Sequence, residues 1–374
     1  MRVALVHDYL NQFGGAERVL ETLAEIFSDA PIYTLLYDEE KTFGRFRGRV
    51  AATSFLDTPL TRKNHRVFIP ILPVAASAMK IGDKYDLVVS SSAGFAKGVR
   101  VPQNVPHISY CHTPLRYAWE PDYLNTILPK PAAWLAKPAL ALLRAWDYRA
   151  GKKPDLLLTN SRFIAEKIKT CYNRPARVIH PPVDLSVFYP EKTRRKRNYF
   201  LALGRFLHYK KFDLVIDAFK KNGLPLRIVG SGPEEERLKA QAQGAANIEF
   251  RAFESDHDRL RALYSGARAL IFPQVEDFGL VAAEAVACGT PVIAYNVGGA
   301  REIVGSGSGM LFDKQTSEEI GKAVERFVTE EKKFTPGRVS KGAAMFSKER
   351  FKEAILTAAE EVQSWKSFPR PEVA

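Results

Sequence analysis

MRVALVHDYLNQFGGAERVLETLAEIF, residues 1–27, reads as a strand, a glycine turn and a helix. The opening MRVALVHDYL is a short apolar run of the kind that buried parallel strands carry, and Val19, Leu20, Leu23, Ile26 and Phe27 recur at helical spacing. Further short apolar runs follow at YDLVVSSS, VPHISYCH, DLLLTNS and ARVIHPPV, each bounded by turn or helix signals. Strands alternating with helices in this way predict a parallel sheet covered on both faces. After HPPVDLSVFYP and the basic stretch EKTRRKRN, the same grammar restarts with YFLALGRF, PLRIVGSG, NIEFRAF, ARALIFP and TPVIAY. The expected fold class is therefore α/β, two doubly wound Rossmann-like domains. Residues 1–180 form the first, 181–350 the second, and 351–374 a C-terminal helix and tail. The linker is placed near 180–197, where Pro181, Pro182, Pro190 and the charge run Arg194, Arg195, Lys196, Arg197 interrupt any core pattern. In SKERFKEAILTAAEEVQSWKSF, Phe351, Ile355, Ala358 and Val362 share one face, so an amphipathic terminal helix is expected, packing back on the first domain.

The bulk numbers agree with that organisation. A chain of 374 residues is too long for one ordinary core. Its 46% hydrophobic, 11% aromatic and 26% charged residues describe a soluble globular protein. Cys111, Cys171 and Cys288 are odd in number, widely separated and without metal-ligand spacing, which points to a reducing cytoplasm. No apolar run approaches the roughly 18 residues needed to span a bilayer, and no leader pattern opens the chain. The net charge is +13. Residues 1–180 hold 25 basic against 16 acidic side chains and 181–374 hold 30 against 26, so the excess is +9 and +4. Such a surplus favours an anionic partner: nucleic acid, an acidic lipid surface or a phosphorylated substrate.

Motifs decide among these. EDFGLVAAEAVACGTPVIAYNVGGARE, residues 276–302, follows the strand ARALIFP directly. Glu276 is expected in the loop at the carboxyl end of that strand, with Phe278, Gly279 and Leu280 opening the helix that carries Glu284. Backbone N–H groups at a helix start attract a diphosphate, and two carboxylates accept hydrogen bonds from sugar or ribose hydroxyls. This arrangement suits a nucleotide sugar better than a metal ion. In LGRFLHYKKFDLVIDAFKK, Arg205 follows a strand and Lys210, taken as a solvent-facing loop lysine, precedes a helix. Together they suit a diphosphate clamp, Arg through its fork and Lys as a point charge. Gly230 and Gly232 in IVGSGP make a further strand-to-helix turn. In the first half, Gly14 and Gly15 allow close backbone approach to a ligand, and His112 closes a predicted strand, where ligands of open parallel sheets bind. No Ser-His-Asp ordering, zinc spacing or P-loop occurs, and no strip of stacking and basic residues suggests a nucleic-acid partner.

These motifs together, GGAE, HTP, GR…K, VGSGP, EDFGLVAAE, ACGTPVIA and GGAREIV, resemble the retaining glycosyltransferases of family 4, which have the GT-B fold. The resemblance runs over nearly the whole chain. It implies two domains facing a cleft, with the first binding the acceptor and the second the donor. It also implies a nucleotide diphosphate sugar as donor and no metal or other cofactor. Arg205 and Lys210 would neutralise the diphosphate, with the backbone at Gly15 assisting from the other domain, and Gly230 would be a further donor-binding position. Glu276 with the backbone of Phe278, Gly279 and Leu280 would hold the transferred sugar, Glu284 the ribose, and His112 the sugar near its reacting carbon. The wording HDYL, YCHTPLRYAWE and EDFG resembles bacterial enzymes of O-antigen and exopolysaccharide assembly that use GDP-mannose and polyprenyl-pyrophosphate-linked saccharides. A UDP-sugar donor with another acceptor is the alternative, and a non-catalytic nucleotide-sugar-binding partner is the competitor of another class.

A lipid-linked acceptor implies a cytoplasmic chain working at the membrane surface. Two segments mix apolar and basic residues as such contact requires, 62–80 and 128–153, the latter with Trp134, Leu135, Leu142 and Trp146. Packing of each on its own domain is the alternative, favoured for 128–153.

Overall fold

The computed structural model describes residues 1–120, 137–191, 197–305 and 307–365. Two compact units result: Met1–His180 joined by the chain from Phe351 on, and Pro181–Arg350. Each is an all-parallel sheet flanked by helices.

In the first unit the strands are β1 (Val3–Leu10), β2 (Ile32–Tyr37), β3 (Val50–Thr53), β4 (Leu87–Ser92), β5 (His107–Cys111), β6 (Leu156–Thr159) and β7 (Arg177–Val178). They lie in the order β3-β2-β1-β4-β5-β6-β7. Every residue of β4 and β5 is buried, which is why they read as unbroken runs without alternation. The second unit contains β8 (Tyr199–Leu203), β9 (Leu226–Val229), β10 (Ile248–Arg251), β11 (Ala267–Phe272), β12 (Val292–Tyr295) and β13 (Gly309–Phe312), ordered β10-β9-β8-β11-β12-β13. In both sheets the chain starts centrally, winds one way, then crosses to the other side. The crossover lies between β1 and β4 in the first and between β8 and β11 in the second. Open parallel sheets bind ligands at the carboxyl ends of the strands flanking this point.

The strand expected in ARVIHPPV shrinks to Arg177–Val178, since Pro181 and Pro182 lack the N–H that a ladder needs. Strands β2, β3 and β13 were not foreseen. β3 is a short edge strand of small, largely exposed residues. The expectation that 180–197 interrupts the core is corrected: Val183 and Phe188 are buried in the second core, and Val183 N–H donates to the Phe346 carbonyl at 2.8 Å. Arg197 donates to the Gly289 carbonyl at 2.6 Å, while Arg194, Arg195 and Lys196 lie outside the described residues.

The C-terminal helix, Lys348–Ser364, buries Phe351, Ile355, Ala358 and Val362 in the same cluster as Val3, Leu5 and Tyr110 of β1 and β5. A bidentate pair, Arg177 to Glu361 at 2.8 and 2.9 Å, and Lys352 to Glu25 at 3.0 Å, flank that seam. Trp134 and Leu135 lie outside the described residues. In the helix Lys137–Gly151, Trp146 packs on Phe95 with ring centroids 5.5 Å apart and donates to Ser77 Oγ, while Leu142 is exposed. Among the described residues no helix is long and apolar enough to cross a membrane.

Candidate functional site

At the crossover of the second sheet, β8 runs into Gly204 and Arg205, and β11 into the loop that carries Glu276. Parallel pairing of β8 with β11 brings these two ends together. The Arg205 guanidinium is exposed. Lys210 ends a short 3-10 turn, His208–Lys210, just before the helix Phe212–Asn222. It does not face solvent as expected: its side chain is only 12% exposed and its ammonium forms an ion pair with Glu276. Gln274 Nε2 also donates to Glu276 Oε1, at 3.1 Å. The carboxylate and the cation assigned to different parts of a donor thus already touch.

Gly279 caps the helix Leu280–Ala287 with φ of +106°, a left-handed conformation that a side chain rarely adopts. Phe278 is buried against Phe346, with ring centroids 5.3 Å apart. Glu284 lies in the core, 2% exposed, and accepts from the Tyr264 hydroxyl at 2.9 Å. The glycines of GGARE explain how the Glu276 loop keeps its shape. Gly299 N–H donates to the Glu276 carbonyl at 2.9 Å. A Cβ at Gly298 would stand 2.6 Å from that carbonyl, and one at Gly299 would stand 2.4 Å from Phe278 Cα. Gly230 serves packing in the same way, since its φ is +154° and a Cβ there would overlap the Gly204 carbonyl. The two turns bearing Arg205 and Gly230 therefore pack backbone to backbone.

In the first unit, Gly15 is the exposed first residue of the helix Gly15–Ile26. The preceding Gly14 N–H donates to Glu17 Oε2 at 2.7 Å. His112 follows β5 and is 8% exposed. Its Nε2 lies 2.8 Å from Ser91 Oγ and its carbonyl accepts from Asn160 Nδ2 at 2.9 Å. Burial, with His7 nearby, pushes its proton affinity down to about 3, so the ring is neutral. Sequence reading missed the groups that build this end. Asp8 accepts from the N–H groups of Ala93, Phe95 and Ala96 at 2.5–2.7 Å, pinning the loop after β4. Lys97 and Asp147 form a fully buried pair at 2.7 Å, and Asp147 also accepts from Trp119 Nε1 and the Tyr172 hydroxyl, each at 2.8 Å. Trp119 is the penultimate residue of the HTPLRYAWE segment, so this network braces the chain that follows His112. Asp8 stands in HDYL, and its place near a strand's carboxyl end was the available signal. Lys97 and Asp147, 50 residues apart, offered none. Among the described residues no group of three or more His, Cys, Asp or Glu is gathered as a metal ion would require.

A family profile described as Glycosyltransferase Family 4 matches residues 13–187, and one described as Glycosyl transferases group 1 matches 188–339. The chain belongs to the group 1/family 4 glycosyltransferases. Among the family's members it is similar to the O-antigen chain mannosyltransferase C of Escherichia coli, 34% identical over 106 residues, which is 27% of this chain and 28% of that one. It is also similar to the D-inositol 3-phosphate glycosyltransferase of Mycobacteroides abscessus, 29% identical over 66% of this chain and 64% of that one. The chain thus spans less than two thirds of these relatives' lengths. Solved structures are matched end to end. Anabaena HepE in complex with UDP gives a TM-score of 0.72 at 17% identity, covering 96% of this chain and 100% of that one. Sucrose-phosphate synthase from Thermosynechococcus elongatus gives 0.74 at 18%, covering 97% and 100%. At these identities the likeness concerns the fold, two parallel-sheet Rossmann-like units of GT-B type.

Proposed function

We propose that the chain is a retaining, metal-independent hexosyltransferase that moves a mannosyl unit from GDP-mannose to a polyprenyl-pyrophosphate-linked saccharide in surface polysaccharide synthesis. The observation that carries the reading is the Arg205, Lys210 and Glu276 constellation at the crossover of the second sheet. Two cations oppose the charge that develops on a leaving diphosphate, and the buried surroundings of Lys210 strengthen its effect. The helix start at Gly279–Leu280 adds backbone donors. When Lys210 turns to phosphate, Glu276 is released to accept from sugar hydroxyls. Glu284 would take the ribose hydroxyls. Gly15 and His112 are the first unit's proposed contacts, with diphosphate and sugar respectively. No protein nucleophile is assigned, and the leaving phosphate would take the proton of the incoming hydroxyl on the same face.

The mannosyl assignment draws on the similarity to the O-antigen chain mannosyltransferase and on the HDYL and EDFG wording. A UDP-hexose donor is the second reading, favoured by the fold's likeness to HepE, whose structures hold UDP and UDP-glucose. The membrane part of the proposal draws on the segment from Phe55 to Val74. Phe55, Leu60, Val67 and Val74 are 59–75% exposed there, interleaved with exposed Lys63 and Arg66. Apolar side chains among cations suit an anionic lipid surface. Location in the cytoplasm, at the inner face of the membrane, belongs to the same proposal.

The deciding experiment is thermal stabilisation by GDP, UDP, ADP and dTDP at matched concentrations. Selective stabilisation by GDP supports the mannosyl reading and selective stabilisation by UDP the second one. No response, together with no turnover of any nucleotide sugar in the presence of membranes, overturns the enzyme assignment.

A further inference from the structure

Behind His112 lies a line of buried polar groups at the crossover of the first sheet. His7 on β1 is register-paired with Ser91 on β4, and His112 follows β5 on the far side of β4. Ser91 Oγ is 3.1 Å from His7 Nδ1 and 2.8 Å from His112 Nε2. His7 Nε2 faces Glu17 Oε1 at 3.6 Å, and the other Glu17 oxygen accepts from Gly14 N–H. None of the four residues is more than 8% exposed.

With His7 neutral and Glu17 ionised, proton accounting along this line has one consistent solution. At 3.6 Å the ionised carboxylate acts on His7 by charge, favouring the proton on the nitrogen that faces it. The opposite nitrogen, Nδ1, is then bare and must accept, which makes Ser91 its donor. A hydroxyl has a single hydrogen, so towards His112 Ser91 only accepts. His112 Nε2 is therefore the donor and its Nδ1 is bare. The reverse order would set a bare His7 Nε2 against the carboxylate, two acceptors facing each other in a dry interior. A cationic His7 would reverse both Ser91 links and move the His112 proton to Nδ1.

We propose that Glu17, His7 and Ser91 are positioning residues that hold His112 in the neutral Nε2–H tautomer, leaving Nδ1 as a hydrogen-bond acceptor for a substrate hydroxyl. The substrate half of this inference rests on the proposed sugar contact of His112; the tautomer half does not. The lowered proton affinity of His112 agrees with a neutral ring.

The test is two-bond proton–nitrogen correlation spectroscopy on the full chain with 15N-histidine at neutral pH, the His112 signals being assigned by their loss in His112→Asn. The expected pattern is a protonated Nε2 and a bare Nδ1. Ser91→Ala should release His112 into a tautomer mixture and lower kcat about tenfold, the equivalent of one hydrogen bond, with the donor KM little changed. Ser91→Thr, which restores the hydroxyl, should restore the tautomer. A Ser91 with a purely structural role would lower Tm and leave the tautomer alone. His112 carrying its proton on Nδ1, or the same single tautomer persisting in a folded Ser91→Ala, overturns the proposal. Should Ser91→Ala not fold, the wild-type pattern and Glu17→Gln carry the test. Absence of turnover with the expected tautomer present would sink the enzyme reading and leave the relay standing.

Discussion

The Lys210 ammonium and the Glu276 carboxylate meet as an ion pair at the crossover of the second sheet, each side chain less than one fifth exposed. The two charged groups have shed most of their water while each keeps an edge in contact with solvent. On the proposed reading, a diphosphate that draws Lys210 away would leave a carboxylate ready for neutral hydroxyls. Lys210→Ala should therefore lower kcat/KM by about two to three orders of magnitude, the loss seen when one preorganised charge-stabilising donor is removed. Thermal stability should change little, because Gln274 still donates to Glu276. Steady-state kinetics beside a melting curve checks both halves, and unchanged turnover would remove Lys210 from the reaction.

Gly299→Ala should act on the same loop by a different route. Its new Cβ would sit 2.4 Å from Phe278 Cα, against backbone that has nowhere to go. Overpacking of this kind costs about 1–3 kcal/mol, and turnover should fall with it. Gly321→Ala is the control of opposite sign. It lies in the helix Ser317–Glu330 with open space around the would-be Cβ, so a gain of about 0.5–1 kcal/mol is expected. Urea unfolding midpoints of the two variants should move in opposite directions.

Acid should destabilise the chain well before its carboxylates titrate. Burial lowers the proton affinity of both His107 and His112 to about 3, against about 6.5 in an unfolded chain. Between these values the unfolded state binds protons that the folded state refuses, so stability is intact above about 6.5 and falls as pH drops towards 3. At pH 5.5 each histidine costs about 1.4 kcal/mol. Denaturant unfolding at pH 7.5 and 5.5 measures the loss; half of it would mean that one ring is accessible to protons in the folded state, and a flat profile that both are.

The fully buried Lys97–Asp147 pair predicts an asymmetry. Removing one partner strands a charge in the core, and Asp147→Ala should cost about 3–5 kcal/mol. Lys97→Met combined with Asp147→Leu should recover part of that loss, short of the contacts that Asp147 makes to Trp119 and Tyr172. A double variant no more stable than Asp147→Ala would show that those two contacts, and not the charge, set the cost.

The strand-turn-helix grammar was legible because buried parallel strands must be apolar on both faces, as in β4 and β5. Most strands of both sheets were read from it, β2, β3 and β13 excepted. The pairing of Lys210 with Glu276 was not, since 66 residues separate them and only the β8–β11 pairing brings them together. For the same reason Lys210 was misjudged as solvent-facing: local sequence shows a polar turn and nothing of what folds over it. Val183 and Phe188 were hidden by neighbouring prolines, which signal breaks in backbone pairing and say nothing of side-chain burial. The GGARE glycines were noticed as a motif, but their use, close packing on the Glu276 loop, depends on a backbone approach that no local pattern records.

The return of the C-terminal helix to the first unit has a consequence for biosynthesis. Val3 and Leu5 of the earliest strand share their cluster with Phe351, Ile355 and Val362 from the far end of the chain. As the polypeptide leaves the ribosome, residues 1–180 hold all seven strands of their sheet but lack the helix that covers one apolar stripe, while the buried core of Pro181–Arg350 lies wholly within that span. The second unit can thus complete its core before the helix Lys348–Ser364 is translated, and the first cannot.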